Sequence, residues 1–216
     1  MKKYLICGCL FLAVGCGSTK AISVNTSVPT NPAKPTLSTP PTTTPVIPTA
    51  ITVLAEPISN ANTRITKKFF GTYVTPKNSP VQPEKFTGYH TGVDFETTAA
   101  EKDLAVPISA ICDGKIVVSG FVNGYGGVII QKCVISGADV TVLYGHLNLG
   151  SLPKIGTIEK KGDKIAILGA AQSHDTDGER KHLHLSIHKG TAIEYRGYVQ
   201  NKNELASWLD YQELIK

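Results

Sequence analysis

The stretch that decides the fold is Lys181-His182-Leu183-His184-Leu185-Ser186-Ile187-His188. Apolar and polar side chains alternate along it, which predicts a β-strand, because successive side chains of a strand point to opposite faces. The leucines and the isoleucine would anchor one face in a core, while the imidazoles and Ser186 line the other. Three of the six histidines of the chain stand here. Such spacing suits a metal ligand beside a second functional imidazole, and the alternative is a strand whose polar residues face water.

A second stretch alternates in the same way: Tyr89-His90-Thr91-Gly92-Val93-Asp94-Phe95-Glu96. His90, Gly92 and Asp94 fall on one face, where the glycine leaves open space between an imidazole and a carboxylate. With one histidine of the first stretch they form three nitrogen or oxygen ligands. Three such ligands and an open fourth position are typical of catalytic zinc, whereas structural zinc sites are usually closed. A surface hydrogen bond between His90 and Asp94 is the alternative, and alternation does not say whether His182 or His184 binds metal.

The rest of the folded part, residues 60–216, reads as short apolar or alternating segments separated by turns, which predicts one mainly β domain of antiparallel sheets. Besides the two stretches above, strands are predicted over residues 111–119, 126–135, 140–147 and 164–168. Near the C-terminus, Leu205, Trp208 and Leu209 share one face of a helical pattern. We therefore expect a short helix there, capped by Asn203 and packed on the sheet.

The cysteines divide into two groups. Cys7 and Cys9 belong to the N-terminal apolar run, and Cys16 follows it. Cys112 and Cys133 flank a predicted hairpin and fall roughly opposite each other when residues are counted outward from its loop. Because export permits disulfides, we expect this pair to be bonded. Two buried thiols are the alternative.

The N-terminus combines a basic start with the apolar run 4–14, which is typical of a secretory signal over residues 1–15. The run is shorter than the roughly 20 residues that span a bilayer. It ends in a sequence that resembles the lipobox of bacterial lipoproteins, Leu12-Ala13-Val14-Gly15-Cys16, with alanine where leucine is usual. The resemblance implies a lipid anchor at Cys16, and hence a protein of the cell envelope that faces the periplasm or cell wall. Ordinary signal cleavage and a retained anchor are the alternatives.

Residues 16–59 join this anchor to the domain and are rich in proline, threonine, serine and alanine. Such a composition cannot form a core and predicts a disordered tether. If extended, it would reach on the order of 100 Å. The formal net charge of the chain is +5, without a lysine- or arginine-rich tract, so nucleic-acid binding has little support. The mild basicity is compatible with an anionic cell-wall polymer.

Three features follow one another along the chain: His90-x-x-x-Asp94, Tyr144-x-His146-Leu147 and His182-x-His184. Their order resembles the lysostaphin-type metallopeptidases, also called LytM-like or metallopeptidase family 23. The resemblance covers most of the folded part, including Gly124-Tyr125-Gly126-Gly127 and Lys161-Gly162-Asp163-Lys164-Ile165. It implies a LytM-like sandwich or barrel-like β fold and one zinc ion. The resemblance also assigns the roles: His90, Asp94 and His184 would bind zinc, and His146 and His182 would be catalytic.

The resemblance implies a zinc metalloendopeptidase that hydrolyses peptide bonds in peptidoglycan during cell-wall remodelling. A cell-wall binding or amidase-regulating module that does not cleave is the alternative, although the chain keeps every ligand type. A cupin would need a further histidine after His188, and none follows. A lipoyl-type carrier would need a lysine at a matching hairpin tip. The loop 175–179 is similar to part of a calcium loop, but its glycine falls too early.

The chain departs from the family pattern at several places. Ser186 stands where members often have glutamate, and residues 176–181 replace a compact Ser-Thr-Gly-Pro approach to the histidine pair. The segment 69–90 is long, and no residue clearly matches the tyrosine that some members use beside the metal. These departures concern substrate preference more than the metal site.

Overall fold

Antiparallel pairing dominates the structure, a computed structural model that describes residues 54–216. The predicted signal, Cys16 and most of the predicted tether lie outside the described residues. Within 54–216 the strands are β1 Tyr73–Val74, β2 Gly88–His90, β3 Gly92–Glu96, β4 Pro107–Ser109, β5 Gly114–Val122, β6 Gly126–Ile135, β7 Ala138–Leu147, β8 Ile158–Glu159, β9 Lys164–Ile167, β10 His182–Lys189, β11 Tyr198–Val199 and β12 Trp208–Leu209. One α-helix, α1, spans Tyr211–Leu214, and short 3-10 helices cover Ala61–Thr63, Ala99–Glu101, Leu149–Ser151, His174–Thr176 and Lys202–Ser207. The prediction of a mainly β fold with antiparallel sheets and a short C-terminal helix is confirmed.

The histidine stretch forms β10, an interior strand of the large sheet. It pairs with β3 on one side and with β7 on the other. The path of the sheet continues from β7 through β6 and β5 to β8, and β12 pairs with the end of β10. In this register His184 stands opposite Asp94 of β3 and opposite Gly145 of β7. Residues far apart in the sequence therefore meet at one level of the sheet.

Two smaller sheets complete the described part of the chain. Strand β2 lies between β1 and β11, and His90 of β2 pairs with Tyr198 of β11. Strands β4 and β9 pair with each other. Packing begins before residue 60, since the Ala55 amide donates to the Ile111 carbonyl over 3.0 Å and Ile58 is buried. No helix among residues 54–216 has the length and apolar character needed to cross a membrane.

The apolar face that the alternation predicts for β3 and β10 is buried. The core residues on this side are at most 1 % exposed: Val93, Phe95, Leu183, Leu185 and Ile187. Full burial of side chains of this size contributes about 1.5–3 kcal/mol each, which fixes the register of both strands. The opposite face is also largely buried, with His182 only 2 % exposed and His184 only 3 % exposed. The histidine face is therefore enclosed by other segments and does not face open solvent.

Cys112 and Cys133 are joined by a disulfide, with a Cα–Cα distance of 6.2 Å. Gly114 of β5 pairs with Cys133 of β6, so the bond crosses the open end of this hairpin. Both cysteines are buried in the main core. The bond therefore links the start of β5 to the end of β6 on the core side of the large sheet.

The C-terminal helix prediction is correct in kind and wrong in detail. The 3-10 helix Lys202–Ser207 is capped by Asn201 rather than Asn203, because the Asn201 side chain accepts from the Asn203 amide and Glu204 bonds back to the Asn201 amide. Trp208 and Leu209 are extended in β12, where they pair with the end of β10. Edge pairing and the burial of Trp208 outweigh the helical pattern, and α1 begins only after this strand.

A partly buried ion pair fastens the segment before β1 to the turn after β3. The Arg64 guanidinium donates to both Glu101 oxygens over 2.7 Å. These hydrogen bonds from Arg64 lower the pKa of Glu101 to about 2, although burial acts in the opposite direction. The Thr98 amide also donates to Glu101. The carboxylate therefore serves both the ion pair and the cap of the 3-10 helix Ala99–Glu101.

We expect Glu101→Gln to lower the free energy of unfolding at pH 7 by about 1–2 kcal/mol, because a charge-assisted bidentate pair is lost. The folded-state pKa of Glu101 lies below its unfolded value of about 4.3, so its stabilisation is complete above that value. It should disappear as the pH falls from about 4 to about 2. Denaturant titrations across pH 2–7 would measure this difference. Glu213→Gln, at an exposed surface pair, is the matched control, and an equal pH dependence in both variants would contradict the expectation.

Candidate metal centre

Three donor atoms from β2, β3 and β10 face one another in a tight triangle. His90 Nε2 lies 3.0 Å from His184 Nδ1 and 3.2 Å from Asp94 Oδ1, and His184 Nδ1 lies 3.1 Å from the same oxygen. All three residues are buried. The structure thus brings together the three residues that the family resemblance named as metal ligands.

Local backbone geometry accounts for this convergence. The pairing of Asp94 with His184 across β3 and β10 places the carboxylate and one imidazole side by side. Gly92 permits the approach, because a Cβ at this position would overlap the Leu185 carbonyl oxygen and crowd the His184 ring. His90 is brought in by Thr91, whose side chain and amide donate to the carbonyls of Arg196 and Gly197. Glycine is therefore required here for contact between strands as well as for space at the site.

The donor set fits a divalent cation. His90 Nδ1 lies 3.2 Å from the Phe69 carbonyl, an arrangement in which Nδ1 carries the proton and Nε2 offers a lone pair. Burial is the main factor that lowers the pKa of His184 to about 4, so its imidazole is neutral at pH 7. Ligands about 2.0–2.1 Å from a tetrahedral zinc ion lie about 3.3 Å apart, close to the observed edges. Two imidazole nitrogens and a carboxylate oxygen at these distances form a possible metal site.

The electrostatics of Asp94 depend on its neighbours. Burial alone would raise the pKa of this carboxyl, but His90 and His182 lower it well below its usual range. Arg180 contributes a further contact, since its Nη2 donates to Asp94 Oδ2 over 2.8 Å. One carboxylate oxygen therefore faces the two histidine nitrogens, while the other is fixed by the guanidinium.

His146 and His182 stand beside the triangle with their ring centroids 4.2 Å apart. His182 Nδ1 lies 2.9 Å from the Arg180 carbonyl, so its Nε2 is free to face Asp94 Oδ2 at 3.4 Å. His146 is turned toward this group by a β-bulge in β7, where it has no partner residue on β6 and a φ of 64°. Burial and the neighbouring His182 lower its pKa well below the usual range. The structure therefore brings His146 and His182, the two histidines that the resemblance named as catalytic, next to the donor triangle.

Tyr125 is a site residue whose role the sequence did not reveal. Its ring lies 5.6 Å from that of His146 and 5.3 Å from that of His184, and its hydroxyl is buried with no hydrogen-bond partner among the described residues. A side chain at Gly197 would collide with this hydroxyl. The only sequence signal was the glycine-rich hairpin around Tyr125, which is part of the resemblance to the lysostaphin-type family.

A second tyrosine, Tyr198 on β11, stacks against Phe86 and lies beside His90. Its oxygen accepts a hydrogen bond from the buried Lys68 ammonium over 2.9 Å. Lys68 is in turn paired with Glu84 over 2.6 Å. Because Lys68 donates to the phenol oxygen, the proton of Tyr198 remains available to another acceptor. No periodic pattern in the sequence indicates this group, since its members come from three parts of the chain, at position 68, over 84–90 and at 198.

These residues surround one cavity of about 300 Å³. Its lining includes the three histidines His146, His182 and His184, together with Tyr125, Arg180 and Tyr198. His90 belongs to the donor triangle, and the remaining two histidines lie elsewhere: His174 stacks on Phe121, and His188 packs edge-on against Trp208. The carboxylates of the loop similar to a calcium site are used internally, because Asp175 accepts from the Asn148 side chain and Asp177 from the Gly124 amide.

Comparison with protein families finds one match, described as Peptidase family M23, over residues 88–196. Among solved structures, the catalytic domain of lysostaphin from Staphylococcus simulans is similar at 22 % identity, with 72 % of this chain and 94 % of that chain covered and a TM-score of 0.49. A zinc-containing peptidase from Vibrio cholerae is similar at 22 % identity, with 71 % and 38 % covered and a TM-score of 0.41. LytU is similar at 23 % identity, with 67 % and 81 % covered and a TM-score of 0.43.

A comparison with curated proteins finds no match to the chain. The family match nevertheless spans half of the chain and contains all five residues of the buried cluster, namely His90, Asp94, His146, His182 and His184. The chain therefore belongs to peptidase family M23.

Proposed function

We propose that the protein is a zinc-dependent endopeptidase that hydrolyses peptide bonds in peptidoglycan. The observation that carries the proposal is the convergence of the His90, Asp94 and His184 donor atoms beside two further imidazoles at one cavity. Three buried donors of this kind suit a catalytic ion with a position left for water or substrate. Membership of the peptidase family supplies the reaction class, and peptidoglycan is the substrate that the lysostaphin-type resemblance implies.

A zinc ion held by these residues would supply Lewis acidity to a water molecule and to the scissile carbonyl. The protein itself supplies the proton transfers. With Nδ1 of His182 engaged by the Arg180 carbonyl, its Nε2 is the atom that can take a proton from the attacking water. His182 can then return this proton to the leaving amine, and His146, neutral because it is buried, can donate its ring N–H in a hydrogen bond to the oxyanion. No glutamate is required as the base in this scheme.

Two hydroxyl groups of the cavity lining, those of Tyr125 and Tyr198, would be available to stabilise negative charge that develops on the substrate. Tyr198 keeps its proton for the cavity because Lys68 already donates to its oxygen. The hydroxyl of Tyr125 lies on the other side, next to His146 and His184. Preorganised donors of this type stabilise charge strongly where water is excluded. The surrounding aromatic rings, including Phe86 stacked on Tyr198, provide that exclusion.

The location of the enzyme follows from the N-terminal sequence, and it belongs to the same proposal. Removal of residues 1–15 and lipidation of Cys16 would attach the chain to a bacterial membrane. Residues 16–59 would then let the domain act on wall peptides at a distance from that membrane. Peptidoglycan and the membrane are the partners that this arrangement requires.

Variants at two cavity residues should separate metal binding from catalysis. We expect Asp94→Ala to lose both zinc and hydrolysis, because it removes a ligand. We expect His182→Ala to keep zinc and to lose activity by at least about 100-fold, since only a proton-transfer group is removed. Zinc per chain, measured by mass spectrometry of the metal, and release of wall fragments would be recorded together. His188→Ala, on the same strand but packed on Trp208, is the control and should keep both properties. Equal zinc loss at positions 94 and 182 would contradict the assignment of roles.

Purified sacculi provide the test of the reaction itself. A Cys16→Ser chain should release peptide-containing fragments that carry new amino ends, and a chelator should abolish the release until zinc is restored. Fragments with new reducing sugar ends would instead indicate cleavage of glycan strands. Zinc-loaded protein that binds sacculi without releasing fragments would favour the non-cleaving module.

A further inference from the structure

Arg180 is the one guanidinium in the wall of the catalytic cavity among the described residues. Its Nε and Nη2 donate to Glu96 over 2.6–3.2 Å, and Nη2 also donates to Asp94 over 2.8 Å. No hydrogen bond joins its Nη1 to any residue of the described part of the chain. The side chain retains 19 % exposure although the two carboxylates hold it in place. One donor edge of a fixed guanidinium is therefore available at the cavity.

The position of this edge is unusually well determined. Bidentate pairing with Glu96 fixes the plane of the guanidinium, because its fork matches the geometry of a carboxylate. The loop that carries Arg180 is itself tied down, since Asp177 accepts from the Gly124 amide and Asp175 from the Asn148 side chain. A ligand that bonds to Nη1 would not have to order a mobile side chain first.

The charges around the cavity favour a negatively charged ligand. Arg180 and Lys67 offset the two carboxylates of Asp94 and Glu96. Two other lining residues are paired internally, Lys68 with Glu84 and Glu179 with Lys85. Arg196 pairs with both Glu194, whose charge acts on Tyr125, and Glu204. A divalent ion at the candidate centre would then leave an excess of positive charge around the cavity. Such a field attracts anions and disfavours cationic peptides.

We propose that Arg180 is a specificity-determining residue, which binds a carboxylate of the substrate peptide through its guanidinium Nη1. This inference rests on the proposed peptidase function and adds to it the substrate class, namely peptides that carry a free carboxylate beside the bond to be cleaved. Arg180 also positions Asp94, so the substrate contact and the metal ligand share one side chain. The departure of residues 176–181 from the family pattern thereby acquires a role in substrate choice.

Binding of two peptides that differ in one charge tests the proposal in the unaltered protein. The probes are dansyl-Ala-Ala-Glu amide and dansyl-Ala-Ala-Gln amide, each with the peptide bond beside its last residue, Ala–Glu or Ala–Gln, reduced to a secondary amine so that this bond cannot be cleaved. Fluorescence anisotropy with the zinc-loaded protein should give a Kd about 10-fold or more lower for the glutamate peptide, as expected for one charge-assisted hydrogen bond. Equal affinity for the two peptides would overturn the proposal.

Three variants assign the preference to Arg180. Arg180→Gln should abolish it, and Arg180→Lys should retain only part of it, because the charge remains but the planar fork is lost. Lys67→Gln is the matched control, since it removes a cation from the same Glu96 at a side chain outside the cavity lining, and it should keep the preference. Zinc per chain is measured for each variant. A preference that persists in both Arg180 variants with zinc bound would assign it to the metal and overturn the proposal.

The readout is independent of hydrolysis. If sacculi are not cleaved and the glutamate preference still depends on Arg180, the peptidase proposal fails and the carboxylate site stands. If sacculi are cleaved and the two probes bind equally, the peptidase stands and the carboxylate site fails.

Discussion

The pairing of β10 with β3 and β7 is the constraint on which the structure depends. It sets His184 opposite Asp94 on one side and opposite Gly145 on the other, so that one strand aligns the ligand set and the residue next to His146. A shift of one residue would turn the histidines into the core and the leucines toward the cavity. The buried apolar side prevents this shift, because each of its large side chains contributes about 1.5–3 kcal/mol only in the observed register. The chemistry of the site is thus fixed by packing on the opposite face of the same strands.

That packing also offsets an unfavourable arrangement of polar groups. A buried carboxylate, several buried imidazoles and the unpartnered hydroxyl of Tyr125 lie within one enclosed region. An unsatisfied buried polar group costs about 1–3 kcal/mol, and an uncompensated charge costs more. Part of this cost is relieved inside the protein, since Arg180 fixes Asp94 and the Phe69 carbonyl orients His90. The rest is the kind of local conflict that marks a functional site, where ligands complete the interactions that the chain leaves open.

The sequence predicts the parts of this arrangement that follow a period. Alternation identified β10 and grouped His182 with His184, because a period of two is a direct consequence of strand geometry. The single strand predicted over 89–96 is instead divided between β2, which ends at His90, and β3, which carries Asp94 in another sheet. The orientation of His146 could not be obtained in this way, since it depends on a bulge that removes the residue from the β6–β7 register. The cap was misplaced by two residues because Asn201 and Asn203 are both good capping residues. Two bonds distinguish them: the Asn203 amide donates to the Asn201 side chain, and the Asn201 amide donates to Glu204.

Tyr125, Tyr198, Lys68 and Arg180 were not predicted, because they belong to loops and short strands that have no hydrophobic period. Long-range contacts bring them to the cavity, as in the bond from Lys68 to Tyr198 across 130 positions of the chain. These residues form the walls, whereas the periodic strands form the metal centre. The two parts can vary separately, because a change in a wall residue leaves the strand register intact. The long segment 69–90 and residues 176–181 before His182 are therefore the places where the fold can change its substrate without changing the metal centre. Arg180 connects the wall to the metal centre, because it lines the cavity and also contacts Asp94.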